Sequence, residues 1–205
     1  MINHKHKYIF IHIPKCAGSS VEYVLDKQAY KDWNSNWDKN NKIWKQHATA
    51  DQYKQLYCPN YDQYFSFTFV RNPWDRAVSD YLWIKKELKI EDSFKSYLLL
   101  TGDFDTPRLS YPNLNRSGRG DHIIPQTDFI LNSNDKQQVN FVGRFENIQQ
   151  DFKNVCNKIG ITHRALPHHN KTKRKHYTEY YDDETRQIVA EKYARDIEHF
   201  GYKFV

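Results

Sequence analysis

Apolar and polar positions along the chain follow two periods, and the points where one gives way to the other mark its elements. Tyr8, Ile9, Phe10, Ile11 and Ile13 form a short continuous apolar run of the kind buried in a parallel sheet, predicting a strand. Pro14 ends it. After Gly18 the period turns helical: Val21, Val24, Leu25 and Ala29 share one face of a helix over Ser20–Tyr30. Lys31–Asn60 is mostly irregular, with a short helix over Thr49–Leu56. A second strand follows in YFSFTFV, where Phe65, Phe67 and Phe69 alternate. Arg71-Asn72-Pro73 then turns into a helix with Asn72 as N-cap, Pro73 at its first position and a stripe of Ala77, Val78, Tyr81, Leu82 and Leu88.

Further on, Asp92–Leu100 predicts a short helix and Thr101–Asp121 a long loop without period. Gln138–Gly143 predicts a third strand, and Asn147–Ile159 a helix stopped by Gly160. A last helix spans Asp183–Phe200 before Gly201. Strands alternating with helices predict an α/β fold: one domain over residues 1–205, a central, largely parallel sheet flanked by helices, and ligand loops at the carboxyl ends of its strands.

Composition narrows the class. An aromatic share of 16% in 205 residues speaks against disorder and for a core of Tyr, Phe and Trp. A formal charge of +6 suits an anionic ligand without choosing among nucleotide, nucleic acid, acidic glycan and membrane surface. Cys16, Cys58 and Cys156 are too widely spaced for a disulfide framework or a zinc site, so a reducing compartment and no metal are expected. No apolar run approaches the ~20 residues of a membrane span, and the first strand leaves no room for a signal peptide; the expected location is the cytoplasm.

The candidate chemistry centres on IPKCAGSS. A small glycine, two hydroxyls and a lysine fall where the N–H groups of a helix N-terminus face outward, which suits a phosphate or sulfate. The loop is P-loop-like, but the nucleoside-triphosphate motif needs its lysine after the glycine. Here Lys15 precedes Gly18, so it approaches the bound anion from the strand side. A nucleotide kinase that requires magnesium, and a tight turn without ligand, remain as alternatives. Arg71 and Ser79 lie at a strand end and about two turns into the next helix, so both can face one group; Arg71 bridging to Asp75 or Asp80 is the structural alternative. The basic stretch Arg164–Lys175 leaves open a nucleic-acid-binding module.

IPKCAGSS followed by FTFVRNPWDRAVSDYLW resembles the two cofactor motifs of the sulfotransferases, in the branch of the Golgi carbohydrate enzymes, including heparan 2-O-type enzymes, and their soluble bacterial relatives. His122-Ile123-Ile124-Pro125-Gln126, Val142-Gly143-Arg144-Phe145-Glu146-Asn147 and His169-Asn170-Lys171-Thr172 extend the resemblance over nearly the whole chain. It implies 3′-phosphoadenosine 5′-phosphosulfate as donor and 3′,5′-adenosine bisphosphate as product. The phosphosulfate would lie on Lys15, Cys16, Ala17, Gly18, Ser19 and Ser20, and the 3′-phosphate on Arg71 and Ser79, under a flap carrying Lys171 and Thr172.

Lys15 would stabilise charge on the leaving phosphate, and a histidine would take the proton of the acceptor hydroxyl by in-line displacement. His47 matches the place of the base in the heparan 2-O-type relatives, with His122 as runner-up; His12 reads as a satisfied strand histidine, and Cys16 as a backbone donor. The implied partner is a hydroxyl-bearing acceptor, a carbohydrate or glycolipid, rather than nucleic acid. Acceptor identity and oligomeric state are not encoded in these motifs.

Overall fold

The apolar run near the start of the chain becomes a strand buried along its whole length. In chain order the elements are β1 (Ile2–Asn3), β2 (Tyr8–Ile11), α1 (Gly18–Leu25), β3 (Trp37–Asp38), β4 (Ile43–Trp44), α2 (Ala50–Gln52), β5 (Phe65–Val70), α3 (Pro73–Leu88), α4 (Phe94–Leu99), β6 (Phe141–Arg144), α5 (Ile148–Ile159), α6 (Asp183–Lys192) and α7 (Ala194–Phe200), with short 3-10 turns between them. The structure, a computed structural model, describes residues 1–27, 37–110, 118–167 and 174–205. They gather into two units: Met1–Val70 with Asp128–Lys171, and Arg71–Thr127 with Thr172–Val205.

The first unit carries a mixed sheet in the order β1-β2-β5-β6. β2 pairs β5 in parallel, Tyr8 opposite Phe65 and Ile11 opposite Thr68, and β5 pairs β6 in parallel, Phe67 opposite Phe141. β1 adds an antiparallel edge. β2 reads as a continuous apolar run because it is buried along its length, and Phe10 stacks on Phe67 with centroids 5.1 Å apart. Gly143 is needed for close approach: a Cβ there would lie 2.5 Å from the ring of Phe69. α5 packs on β6, buries Phe152, Val155, Cys156 and Ile159, and ends at Gly160 with φ 69°.

Within the stretch expected to be irregular, Trp37 and Trp44 face each other across the hairpin β3–β4, ring centroids 5.3 Å apart. The predicted helix at Thr49 is present. Thr49 accepts from the backbone N–H of Gln52 while the Gln52 side chain accepts from that of Thr49, a capping box that opens α2 before the chain widens into a π turn over Tyr53–Tyr57.

In the second unit, α3 begins as predicted, with the Asn72 side chain accepting from the N–H of Trp74 and Pro73 at its first position. Trp74, Ala77, Val78, Tyr81 and Ile84 pack with Phe94, Tyr97 and Leu98 of α4, with Phe104 and Leu109, and with Val189 and Tyr193. The single closing helix expected over Asp183–Phe200 is two helices. At Tyr193 (φ −115°, ψ 29°) the backbone leaves helical geometry, and the phenol donates to the carbonyl of Ile123 at 3.0 Å. The break comes just before the fully buried Asp196. Of the long loop, the described parts form 3-10 turns at Gly102–Phe104 and Pro107–Leu109 and enter a third at Gly120–His122.

Candidate active site

The loop between β2 and α1 is set by two non-glycine residues in the left-handed region, Lys15 (φ 68°) and Ala17 (φ 63°). Such a backbone costs about 1–2 kcal/mol per residue, and its occurrence twice in three residues marks a loop held for its shape. Ala17 is the N-cap of α1, and with no side-chain oxygen it leaves the helix N-terminus without a side-chain cap. No acid lies in the first turn. A left-handed turn leading into a helix end without a side-chain cap is a backbone that suits an anion, although the N–H groups of Cys16 and Ser20 already donate to the carbonyls of Ile13 and Ala17. Lys15 and Ser19 flank it half-buried, whereas Ser20 is buried; the Cys16 thiol turns inward and donates to the Pro14 carbonyl at 3.6 Å. The Cys16 backbone N–H donates to the Ile13 carbonyl at 3.4 Å.

Beneath this loop lies a set of polar side chains in which Glu22 and Gln46, not singled out from the sequence, join His12 and His47. His12 Nδ1 lies 3.1 Å from Glu22 Oε1, and Gln46 Nε2 donates to Glu22 Oε2 at 2.6 Å. Burial is the largest influence on the Glu22 carboxyl and opposes its ionisation. His12, the N-terminal ammonium and Gln46 together outweigh burial and hold the group below its ordinary value. The ionised carboxylate can only accept, so His12 donates from Nδ1. His47 closes the 3-10 turn Lys45–His47, and its ring meets the edge of His12 at 4.9 Å and 82°. The one available signal for Glu22 was an acid on the apolar face of a predicted helix.

In the second unit Arg71 grips Asp75 through Nε at 2.8 Å and Nη2 at 2.7 Å. The other oxygen of Asp75 accepts from Arg174. Two guanidiniums thus share one carboxylate, leaving net positive charge, and Nη1 of Arg174 is buried without a hydrogen-bond partner. Ser79 follows Asp75 by four residues, on the same face of α3, and is half-buried. The alternative foreseen for Arg71, a bridge to Asp75, is present. Lys171 and Thr172 lie outside the described residues, as do His169 and Asn170.

The His122–Gln126 motif has a clear structural role. Gln126 Oε1 accepts from the N–H of Arg71 at 2.8 Å, and its Nε2 donates to the Arg71 carbonyl at 2.9 Å, so one side chain pins both sides of that residue. Asp196 accepts from the backbone N–H groups of Gln126 and Thr127, both at 2.8 Å, and from their side chains. Arg76 donates to the carbonyls of His122 and Ile124. His122 itself is buried, stacked 4.8 Å from Trp83, with Nδ1 2.7 Å from Asp80 Oδ1. The other oxygen of Asp80 accepts from Tyr97 at 2.8 Å. Burial first and the Asp80 charge next push the Tyr97 phenol well above its ordinary range, keeping it a donor. An ionised Asp80 takes the Nδ1–H of His122, so the lone pair sits on Nε2.

A profile described as "Sulfotransferase family" matches residues 1–203. The chain belongs to the sulfotransferase family. An uncharacterized protein of Archaeoglobus fulgidus is similar, with 29% identity over 102 residues, covering 49% of this chain and 72% of that protein. Among the described residues, no helix is long and apolar enough to cross a membrane.

Proposed function

We propose that this sulfotransferase moves a sulfuryl group from 3′-phosphoadenosine 5′-phosphosulfate to a hydroxyl of a carbohydrate or glycolipid. The observation that carries the donor assignment is the uncapped, acid-free N-terminus of α1 behind two left-handed residues, one of them Lys15. In this reading residues Lys15 to Ser20 hold the phosphosulfate, and Lys15 meets negative charge as it grows on the departing phosphate. Arg71 and Ser79 hold the 3′-phosphate, supported by the net positive charge around Asp75 and the unpartnered Nη1 of Arg174. Lys171 and Thr172 add cationic and hydroxyl donors.

The acceptor oxygen forms its bond to sulfur as the bond from sulfur to the phosphate oxygen breaks, and the hydroxyl proton passes to a histidine. His47 is the base in this reading. A second reading gives that role to His122, favoured by Asp80, which fixes the tautomer as the carboxylate of a catalytic triad does. The site needs no metal in either case, because lysine and backbone N–H groups answer the developing charge.

Calorimetry with 3′,5′-adenosine bisphosphate against AMP tests the donor. Two charge-assisted bonds to the 3′-phosphate give the bisphosphate a preference of about 100-fold or more. Equal affinity for both nucleotides would remove Arg71 and Ser79 from the site. Binding of ATP only with magnesium would favour the kinase alternative, and binding of nucleic acid alone would favour the non-enzymatic one.

A further inference from the structure

His12 was expected to be a strand histidine with its hydrogen bonds satisfied inside the core. It is satisfied, but by groups that belong to the proposed site. The ring follows β2 directly and is 4% exposed. Its Nδ1 reaches Glu22, on the helix that begins at the anion loop. Its opposite edge lies under that loop: a Cβ added to Gly18 would stand 2.0 Å from His12 Cδ2 and 2.1 Å from Nε2. The ring also meets that of His47 at 4.9 Å, edge to face, while Gln46, the residue before His47, bonds the same Glu22.

Gly18 carries no positive φ, so conformational freedom does not explain it. The explanation lies in the volume that the imidazole fills. An imidazole wedged between loop, helix and neighbouring histidine sets the height of the loop and the tilt of the His47 ring with one rigid body. Gln46 and His12 hold Glu22 from its two oxygens, so that body cannot rotate without leaving a buried carboxylate short of a partner.

We infer that His12, clamped by Glu22, is a positioning residue that serves as the floor of the anion loop and the stop against which His47 packs. The inference rests on the donor reading above and adds to it a residue that touches neither donor nor acceptor. Gly18 and His12 are then a matched pair, and a change at one alters what is tolerated at the other.

The test is a double-mutant cycle on the full chain, read by calorimetry with 3′,5′-adenosine bisphosphate and by urea unfolding. His12→Asn keeps a donor for Glu22 while removing the ring, so the variant folds but, without the floor, binds the nucleotide about three- to tenfold more weakly; unchanged affinity would overturn the floor. Gly18→Ala in the wild-type background weakens the nucleotide by more than about tenfold, because the ring or the loop must move. In the His12→Asn background the same alanine costs less than about threefold, a coupling of the size expected for residues in contact. The His47 ring-proton resonances also shift in His12→Asn as the neighbouring ring current is lost.

An equal loss from Gly18→Ala in both backgrounds, by binding and by unfolding, would overturn the pairing. Unmoved His47 resonances would overturn the stop. If the wild-type chain binds no bisphosphate, the donor reading fails and this inference with it. If it binds and only the coupling is missing, the donor reading stands and the role of His12 alone is refuted.

Discussion

Asp196→Asn isolates a heavily bonded carboxylate in the second unit. The side chain is fully buried and accepts four hydrogen bonds: from the N–H of Gln126 at 2.8 Å, Gln126 Nε2 at 3.2 Å, and the N–H and hydroxyl of Thr127 at 2.8 and 2.9 Å. The amide has nearly the same volume, so no cavity opens. One oxygen becomes a donor facing donors, which forfeits two of the four bonds and strands one buried backbone N–H. At about 1–3 kcal/mol for an unsatisfied buried donor, with the second lost bond added, the cost is about 2–4 kcal/mol.

Urea unfolding followed by tryptophan fluorescence measures it, since Trp74 and Trp83 belong to this unit. With a slope of about 2 kcal/mol per molar, the midpoint falls by about 1–2 M. Because Gln126 pins Arg71, affinity for 3′,5′-adenosine bisphosphate falls beyond what the unfolded fraction explains, even at low urea. A midpoint shift under about 0.3 M at unchanged slope would refute the energetic argument. Full nucleotide affinity in a clearly destabilised variant would refute the link from Asp196 through Gln126 to Arg71.

Two further outcomes follow from the same geometry. Glu22 is held below its ordinary value, so its contribution to stability is complete above about pH 4.5 and is lost as the pH falls through the lower folded value. Unfolding curves should therefore show Glu22→Gln well below wild type at pH 7, with the gap narrowing below pH 4.5; a gap independent of pH would mean that Glu22 is not the ionised partner of His12. For the base, labelled-donor assays over a panel of glycan acceptors should show a loss of about 10²–10⁴ in turnover for the alanine variant of the true proton acceptor, with bisphosphate binding intact. Loss in His47→Ala alone supports the first reading. Loss in both His122→Ala and Asp80→Asn supports the second, and full turnover in every variant would remove the histidine base.

β2 was legible because a strand buried along its whole length leaves an uninterrupted apolar run, β5 because its phenylalanines alternate, and Asn72-Pro73 and Gly160 wrote their helix ends into local chemistry. The closing helix misled because its apolar period runs straight through Tyr193. The break there comes from packing and a hydrogen bond to Ile123, neither of which is local in sequence. The turn between β2 and α1 could be located from Pro14 to Ser20, yet the left-handed geometry of Lys15 and Ala17 leaves no mark in residue type, since neither is glycine or asparagine. Asp80, Glu22 and Asp196 were hidden for a related reason: each looks like an ordinary helical acid until its partners, brought from distant segments, are known. The hairpin over Trp37–Trp44 escaped because each strand is only two residues long, too short for any period.

The carboxylate of Asp75 has a kinetic meaning as well as a structural one. A pair of arginines with no counter-ion would hold a phosphate tightly and surrender it slowly, because departure would leave two bare cations behind. If these guanidiniums hold the 3′-phosphate as proposed, Asp75 offers them a resident substitute to which they return when the anion leaves. In the proposed reading the spent nucleotide departs by an exchange of partners, so turnover need not be throttled by product release at the end of the cycle that depends on Arg71.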